Sequence, residues 1–455
     1  MSSKSPVVVI IGNGVAGITV ARTVRKQYSE ARIRIISDES DYFFSRPALM
    51  YIYMGHMKAE HTEPYERDFY DKNRLERIRG RATAIDADNQ RLLLKDGQIV
   101  PYDYLVIATG SVPNRFGWPG ENLDGVQGLY SMQDLESLER WSRAKIKHGV
   151  IVGGGLIGIE LAEMLHTRGI PCTFLIREDR YWGNILPREE AALVEEQIAN
   201  HGIPLQRNTE LLSIEGDAAG RAARVKTTAG ELEADFVGLT AGVRPNVTIQ
   251  HDSLETARGY LVDRKFRTSM ERVFAVGDCA QFRNEDGSAG PVEQLWYTAR
   301  MHGHALGRII GHAIQSEFDF PLSEGLQQAD SPADIDYDRG IWFNSAKFFQ
   351  LEYQTYGFVP ANPNPETTFY WQHPEKAVGF RMVWEGSIAD GQVTGFNVFG
   401  LRYRQEVCED WIRNRATPEQ TIQNLRRANF DPEFFERPES RIKKAFLKAQ
   451  KGAAV

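Results

Sequence analysis

The chain has 455 residues, a formal net charge of −7 and a hydrophobic share of 42%. This length predicts about three domains, the acidic balance argues against a nucleic-acid partner, and the longest apolar runs are too short to span a membrane. Three cysteines in so long a chain predict a reducing, cytoplasmic setting without a disulfide framework. The first residues lead straight into a predicted strand, so we expect no signal peptide.

The first motif follows an apolar, β-branched strand predicted at 7–11. It is a G-x-G-x-x-G loop that opens a helix, with the residues Gly12, Gly14, Val15, Ala16 and Gly17. Such glycines allow a tight turn, close approach of a pyrophosphate and close packing of the helix on the sheet. A second strand, 32–37, ends in Asp38 and Glu39, where an acid is expected to bind a ribose hydroxyl. This arrangement predicts a bound dinucleotide.

Four more short motifs follow along the chain. They are Ala108-Thr109-Gly110, a second G-x-G-x-x-G at Gly153, Gly155 and Gly158, the run from Gly242 to Asn246 (GVRPN), and Gly277-Asp278. Two such fingerprints in one chain predict two dinucleotides. With these motifs the chain resembles the pyridine nucleotide-disulfide oxidoreductase family, flavoproteins with two dinucleotide sites. The resemblance covers residues 6–416.

The resemblance implies an α/β fold with two Rossmann-like dinucleotide-binding domains. The NAD(P)H domain is inserted in a split FAD domain, and an α+β domain follows at the C-terminal side. The predicted boundaries are 1–118 and 247–325 for the FAD domain, 119–246 for the NAD(P)H domain, 326–416 for the C-terminal interface domain and 417–455 for a helical extension.

The family holds FAD in the first site. Arg46 would then contact the pyrophosphate or the isoalloxazine, or else form a surface ion pair, and Pro47 would begin a helix. The resemblance implies that FAD comes close to the backbone at Ala108, Thr109, Gly110 and Gly277. It also implies that Asp278 forms hydrogen bonds with the ribityl hydroxyls of FAD. A helix predicted at 293–310 would direct its N-terminus at the flavin through Leu295, Trp296 and Tyr297. Trp296 would either stack near the isoalloxazine or belong to the core.

NAD(P)H would lie against Gly153, Gly155, Leu156, Ile157 and Gly158. Glu160 would face the nicotinamide, or would be an acid that stabilises the helix N-terminus, and Gly242 would allow close approach near the nicotinamide. The strand 172–176 is followed by Arg177 and Glu178. A carboxylate there favours NADH and an arginine favours NADPH; because Arg177 comes first, we predict a slight preference for NADPH. Arg180 would add to phosphate binding or be solvated.

The other segments are read from their patterns. The pattern of residues 79–100 predicts an antiparallel insert with a turn at Asp96-Gly97. An acidic link is predicted at 318–338. The strands of the third domain are predicted at 347–359, 367–371, 377–385 and 392–399. A helix is predicted at 403–414, and 417–455 reads as a docking segment or a solvated helix. The cysteines Cys172, Cys279 and Cys408 read as structural, and His302 and His304 are not a metal pair. No metal site is predicted.

Without a cysteine pair, a dithiol relay is excluded. The chain then resembles ferredoxin and rubredoxin reductases, the flavin part of nitrite reductase and apoptosis-inducing factor. We predict an FAD-dependent NAD(P)H oxidoreductase that passes electrons to a separate iron–sulfur carrier such as ferredoxin or rubredoxin. The resemblance allows a homodimer through the C-terminal domain, and the sequence leaves a monomer and a dimer both open. The alternatives are an NAD(P)H oxidase, quinone or small-molecule reductase, and a non-enzymatic NAD(P)H-sensing flavoprotein.

Overall fold

The computed structural model describes residues 5–318, 336–430 and 437–453. The chain divides into two compact units. The first unit comprises Met1–Asn114, Tyr130–Arg140 and Val243–Arg339, and the second comprises Arg115–Leu129, Trp141–Gly242 and Gly340–Val455. Most of the predicted acidic link, 319–335, lies outside the described residues. Among the described residues, no helix combines the length and apolar character needed to cross a membrane.

A five-stranded parallel sheet forms the centre of the first unit. Its strands, in spatial order, are Val273–Ala275, Tyr104–Ile107, Val7–Ile11, Arg32–Ser37 and Leu75–Arg79. The middle strand is fully buried, as expected for β-branched residues in a parallel sheet covered on both faces. The strands predicted at 7–11 and 32–37 are confirmed with the same bounds, and the α/β fold class is confirmed.

Smaller sheets and helices surround this parallel sheet. The insert predicted at 79–100 is an antiparallel sheet of Ala82–Asp86, Arg91–Leu94 and Ile99–Pro101. Tyr260–Val262, Ala280–Arg283 and Ala289–Val292 form a mixed sheet, and Ser111–Pro113 pairs with Val243–Pro245. The helices are Val15–Gln27, Leu49–Tyr53, Phe69–Lys72, Met132–Arg143 (whose last residues belong to the second unit) and Trp296–Phe318. Short 3-10 turns lie at Arg46–Ala48, Ala59–Thr62 and Gly277–Cys279.

Glycines let the helix Trp296–Phe318 pack closely on the helix Val15–Gln27. A Cβ atom at Gly303 would lie 2.7 Å from the carbonyl oxygen of Ala16, and one at Gly307 would lie 2.5 Å from an atom of the facing helix. Neither position has room for a side chain. The close packing brings the long helix against the start of the first glycine-loop helix.

The second unit contains its own five-stranded parallel sheet. In spatial order its strands are Leu205–Gln206, Cys172–Leu175, Gly149–Val152, Phe236–Leu239 and Val126–Gln127. The helices Leu156–Thr167 and Arg188–Asn200 belong to this part. Leu211–Gly216, Ala222–Thr227 and Gly230–Glu233 form an antiparallel sheet.

The C-terminal part of the second unit is a five-stranded antiparallel sheet with helices. Its strands, in spatial order, are Phe343–Phe348, Leu351–Gly357, Gln392–Phe399, Gly379–Glu385 and Thr368–Gln372. The single strand predicted at 347–359 is wrong: the chain turns at Phe349, which has a φ of +54°, and forms a hairpin. The helix Gln405–Arg413 confirms the prediction at 403–414 with shorter bounds.

The described residues after 416 are part of this C-terminal core. It contains the helices Pro418–Gln423 and Glu439–Ala453, and a 3-10 turn at Leu425–Ala428. Ile442 and Phe446 are buried in one cluster with the sheet, whereas the neighbouring Lys443 and Lys444 are exposed. The reading as a solvated helix is therefore wrong, because the last helix is amphipathic and covers the sheet with its apolar face.

Candidate nucleotide sites

The three glycines of the first loop differ in what surrounds them. Gly12 has a φ of +111°, and a Cβ atom there would lie 2.1 Å from the Ala108 carbonyl oxygen; one at Gly17 would lie 2.1 Å from the Gly12 carbonyl oxygen. Gly14 has no atom within 4 Å of a Cβ position. Gly12 and Gly17 are thus required by the fold itself. The space at Gly14, directly before the helix Val15–Gln27, fits a pyrophosphate and the free N–H groups of that helix.

Asn13 fixes this loop from the side. Its amide nitrogen donates to the Asp41 carbonyl oxygen at 3.3 Å, and its side-chain oxygen accepts from the Tyr70 hydroxyl at 3.4 Å. The Tyr70 hydroxyl in turn accepts from the backbone N–H of Phe43 at 2.7 Å. This support was not predicted, because no local pattern in the sequence connects Asn13 with a tyrosine 57 positions away.

The two acids at the end of strand Arg32–Ser37 face different surroundings. Asp38 is exposed and lies 3.6 Å from Arg81. Glu39 accepts two hydrogen bonds from the Arg46 guanidinium, at 2.8 and 2.7 Å, and one from the Met132 backbone N–H at 3.0 Å. Burial opposes ionisation of Glu39, but the bonds and charge of Arg46 outweigh it and lower its pKa. Arg46 is therefore in an ion pair at this site, and its contact with a cofactor stays a prediction.

Pro47 is the second residue of the 3-10 turn Arg46–Ala48, so the prediction that it begins the helix is off by one position. Two other motifs meet in the first unit. The hydroxyl of Thr109 donates to the Asn246 carbonyl oxygen at 2.7 Å, and the backbone N–H of Asn246 donates to the Gly110 carbonyl oxygen at 2.9 Å. The Ala-Thr-Gly and Gly-x-Arg-Pro-Asn motifs thus hold each other in place.

Asp278 is held by a short chain of side chains. The Ser111 hydroxyl donates to the Asp278 carboxylate at 2.9 Å, and the Gln294 amide donates to the Ser111 oxygen at 2.8 Å. Burial raises the pKa of Asp278, and the hydrogen bond from Ser111 partly offsets that rise. Asp278 thus presents a carboxylate with an oriented oxygen, an arrangement that fits hydroxyl groups of a ligand. Neither Ser111 nor Gln294 was predicted from the sequence as a site residue.

His302 links Gly277 to the start of the long helix. Its Nδ1 accepts from the Gly277 backbone N–H at 3.1 Å, and its Nε2 donates to Glu293 at 3.1 Å. The Tyr337 hydroxyl donates to the same carboxylate at 2.7 Å. Within the described ranges no group of His, Cys, Asp and Glu side chains could hold a metal ion.

The long helix begins at Trp296 and ends at Phe318, later at both ends than the predicted 293–310. Leu295 and Tyr297 flank this start and are partly exposed. The indole Nε1 of Trp296 is buried and has no hydrogen-bond partner. An unpartnered buried donor at a helix N-terminus fits an acceptor atom of a ligand, and the polar edge of a flavin offers such atoms.

In the second glycine loop, as in the first, two glycines are needed for packing and a third has open space around it. Gly153 has a φ of +113°, and a Cβ atom there would lie 2.7 Å from Ala241; one at Gly158 would lie 2.4 Å from the Gly153 carbonyl oxygen. Gly155 has no atom within 4 Å of a Cβ position. Leu156 and Ile157 then begin the helix Leu156–Thr167. This loop also has room for a pyrophosphate at one glycine only.

A cavity of about 330 Å³ opens at this second loop. Arg177, Glu178 and Gly242, which were predicted from sequence, all line it, and so do the aromatic residues Phe116, Trp118 and Trp182, which were not. The side chain of Arg177 is 71% exposed and that of Glu178 is 24% exposed, and the Arg177 Nε donates to the Glu178 carboxylate at 3.0 Å.

Glu160 is the fifth residue of its helix, and no acid lies in the first turn. The reading as an acid that stabilises the helix N-terminus is therefore wrong. Burial, with a smaller contribution from the charge of Glu163, raises the pKa of Glu160 to about 7. Glu160 does not line the cavity at the second glycine loop, so its contact with the nicotinamide stays a prediction.

Arg180 does neither of the things predicted for it. Its side chain is 10% exposed, so it is not solvated. Its guanidinium donates to the carbonyl oxygens of Gly183 and Ala361 at 2.8 and 3.2 Å and to the Asn362 side chain at 3.2 Å. Arg180 therefore holds a loop rather than a phosphate.

Comparison with known proteins supplies the family. The model of the family described as "Pyridine nucleotide-disulphide oxidoreductase" matches residues 6–303. The chain belongs to this family. The ferredoxin reductase component of chlorobenzene dioxygenase from Cupriavidus sp. (strain PS12) is 32% identical over 308 residues, which cover 67% of this chain and 74% of the relative. A rubredoxin-NAD(+) reductase of Pseudomonas putida is 30% identical over 280 residues, 61% of this chain and 72% of the relative.

The fold comparison agrees. The ferredoxin reductase for the CYP199A2 system from Rhodopseudomonas palustris has a TM-score of 0.73 and 23% identity, and it covers 87% of this chain and 91% of its own. This likeness concerns the fold. The family membership confirms the predicted resemblance: the protein is an oxidoreductase of the flavoprotein type, with FAD and a nicotinamide nucleotide as cofactors. Its three cysteines are free and buried.

Proposed function

We propose that this protein is an NADH-dependent reductase of a separate small iron–sulfur protein. The observation that carries the proposal is the pair of glycine loops, each with room at one glycine, in a chain whose cysteines are all buried and unpaired. Burial raises the pKa of Cys172 to about 12 and also raises that of Cys279, so neither offers a thiolate. Electrons would then leave without a thiol relay, and the names of the ferredoxin and rubredoxin reductase relatives make an iron–sulfur protein the expected acceptor.

For the first site we propose that the FAD pyrophosphate lies against Gly14 and the first free N–H groups of the following helix. Asp278 would bind the ribityl hydroxyls, with its oxygen oriented by Ser111. When bound, FAD accepts a hydride from the nicotinamide and passes the electrons to the acceptor. Trp296 would donate to the flavin, and the remaining contacts would come from residues already predicted: Val15, Ala16, Asp38, Glu39, Arg46, Pro47, Ala108, Thr109, Gly110, Gly277, Leu295 and Tyr297.

For the donor we infer NADH, which reverses the slight preference for NADPH drawn from Arg177. Glu178 lines the cavity with a carboxylate, and a carboxylate at a strand end binds free ribose hydroxyls and repels a 2′-phosphate. Arg177 is mostly exposed and donates to Glu178, so its charge is partly neutralised. The rubredoxin reductase relative is named for NAD(+).

Two variants test the donor. Glu178→Gln removes the charge but keeps the shape, so we expect the KM for NADH to rise about tenfold and the KM for NADPH to fall. Arg177→Ala should change the KM for NADH by less than about threefold. A larger rise of the KM for NADPH than of the KM for NADH in Arg177→Ala would restore the NADPH assignment.

Stopped-flow absorbance tests the acceptor. The purified yellow protein is mixed anaerobically with NADH, and then with a ferredoxin, a rubredoxin, a quinone or oxygen. Fast bleaching with fast reoxidation by an iron–sulfur protein is expected. Fast reoxidation by the quinone or by oxygen alone would assign the protein to the small-molecule reductases, and bleaching that no acceptor reverses would indicate a sensing flavoprotein.

We also propose the predicted domain boundaries, a homodimer through the C-terminal domain and a cytoplasmic location. The burial of all three thiols supports a reducing compartment. Light scattering of the holoprotein measures the oligomeric state directly.

A further inference from the structure

The loop of residues 179–186, here called the Trp182 loop, forms part of the wall of the second nucleotide cavity. Trp182, Gly183 and Asn184 line the cavity together with the glycine loop. A Cβ atom at Gly154 would lie 3.7 Å from the backbone nitrogen of Trp182. The Trp182 loop therefore lies directly against the residues that surround a pyrophosphate.

The same loop is held from its other side by the C-terminal part of the second unit. Arg180 is buried and bonds to Gly183 within the loop and to Ala361 and Asn362 outside it. The Tyr181 hydroxyl donates to the Gly155 carbonyl oxygen at 3.1 Å. One side of the loop is thus tied to the C-terminal sheet region and the other to the glycine loop.

Trp182 itself adopts an unfavourable backbone conformation. Its φ is +51°, in the left-handed region that costs a bulky residue free energy unless its surroundings hold it. Its indole ring packs edge-on against the rings of Phe348 and Tyr353, each at a centroid distance of 6.2 Å. Both rings belong to strands of the C-terminal sheet. The C-terminal sheet therefore supports the position of Trp182.

We propose that the C-terminal domain sets the affinity for the dinucleotide by holding Trp182 in the cavity wall, where the indole contacts the adenosine half. The Trp182 loop follows Arg177 and Glu178, which mark the ribose end of the cavity. An aromatic ring there offers a stacking surface for a base. The inference rests on the proposed function for the identity of the nucleotide, NADH.

Calorimetric titration of the holoprotein with NAD⁺ and with ADP-ribose tests this role. Trp182→Ala should raise both dissociation constants about tenfold, the range that loss of one base-stacking ring produces. Trp182→Phe should restore them to within about threefold. The matched control is Trp141→Ala, because Trp141 is a half-buried tryptophan of the same unit that does not line the cavity. Bound FAD and the melting temperature are recorded for every variant.

Two variants behind the cavity test the role of the C-terminal domain. Phe348→Leu and Arg180→Met leave every lining residue unchanged, and each should raise the dissociation constant of NAD⁺ severalfold. If Trp182→Ala binds NAD⁺ with wild-type affinity, the proposed contact between Trp182 and the nucleotide is wrong. If Phe348→Leu and Arg180→Met both bind NAD⁺ with wild-type affinity, the C-terminal domain does not set the affinity. These binding measurements need no electron acceptor. If the variants show the expected changes in affinity but the wild-type protein reduces no iron–sulfur protein, the proposed function is contradicted and the role of Trp182 is not.

Discussion

Replacing Gly155 with alanine separates nucleotide binding from folding. Its backbone is extended, with a φ of −95° and a ψ of −176°, so alanine adopts the same conformation. No protein atom lies within 4 Å of the new methyl group. Because Gly155 is the residue before the helix Leu156–Thr167, the change of cap residue costs less than about 1 kcal/mol of folding free energy.

The effect on the dinucleotide is much larger. The methyl group would occupy the space in which we place the pyrophosphate, and it would move the phosphate oxygens away from the helix N–H groups. Loss of two hydrogen bonds to a charged group, at roughly 1.5 kcal/mol each, amounts to about 3 kcal/mol. That corresponds to an increase of roughly 100-fold in the dissociation constant of NADH.

The assay is the saturation of anaerobic FAD reduction with NADH, together with calorimetric binding of NAD⁺. Gly155→Ala should keep its FAD, its melting temperature and its limiting rate at saturation, and lose affinity. Gly158→Ala is the contrasting variant, because its Cβ atom would meet the Gly153 carbonyl oxygen at 2.4 Å and destabilise the fold. A folded Gly155→Ala protein that binds NAD⁺ with wild-type affinity would refute the assignment of this loop.

Three further predictions concern the FAD loop and two buried carboxylates. Gly14→Glu should abolish FAD retention while the chain still folds, and recovery of a yellow holoprotein from this variant would contradict the first site. The pKa of Glu160 is raised from 4.5 to about 7 by burial and Glu163, so the folded protein binds a proton that the unfolded chain releases, and stability falls as pH rises through that range. Glu160→Gln should therefore be about 3 kcal/mol more stable than the wild type in urea unfolding near pH 8, but less than about 1 kcal/mol more stable near pH 5; a pH-independent difference would count against the shift. The carboxylate of the fully buried Glu190 lies 2.6 Å from the Arg381 guanidinium. Arg381→Met leaves this buried charge without its partner and should lower the free energy of unfolding in urea by about 4 kcal/mol. The double variant Arg381→Met with Glu190→Leu should recover most of this loss.

The parts of the fold that sequence predicted well depend on short-range patterns. The strand 7–11 and the spacing of its glycine loop are local features: β-branched side chains favour a buried parallel strand, and Gly17 packs against the Gly12 carbonyl oxygen within the motif, although Gly12 itself is required by the distant Ala108. The same holds for the second loop. Local patterns therefore predicted both nucleotide loops.

The failures have physical causes that local patterns do not contain. The turn at Phe349 uses a bulky residue with a φ of +54°, so the usual glycine, asparagine or proline signal is missing. Arg180 looks like a surface cation, but its carbonyl partner at Ala361 lies 181 positions away. His302 and Ser111 act on Gly277 and Asp278 through contacts that form only in the folded chain. The roles of such residues depend on long-range packing, so they are visible only in the three-dimensional structure.

The two glycine loops also explain how electron donor and acceptor can be controlled separately. Each loop keeps two glycines for its own packing and has open space at the third, so a change at Gly155 should affect the binding of one nucleotide and leave the first loop unchanged. With all three thiols buried, the proposed transfer of electrons from FAD to the acceptor uses no cysteine and is a step separate from NADH binding. In steady-state kinetics with an iron–sulfur acceptor, Gly155→Ala should therefore lower kcat/KM for NADH while kcat/KM for the acceptor stays constant. A parallel loss in both would mean that the nucleotide also forms part of the acceptor site.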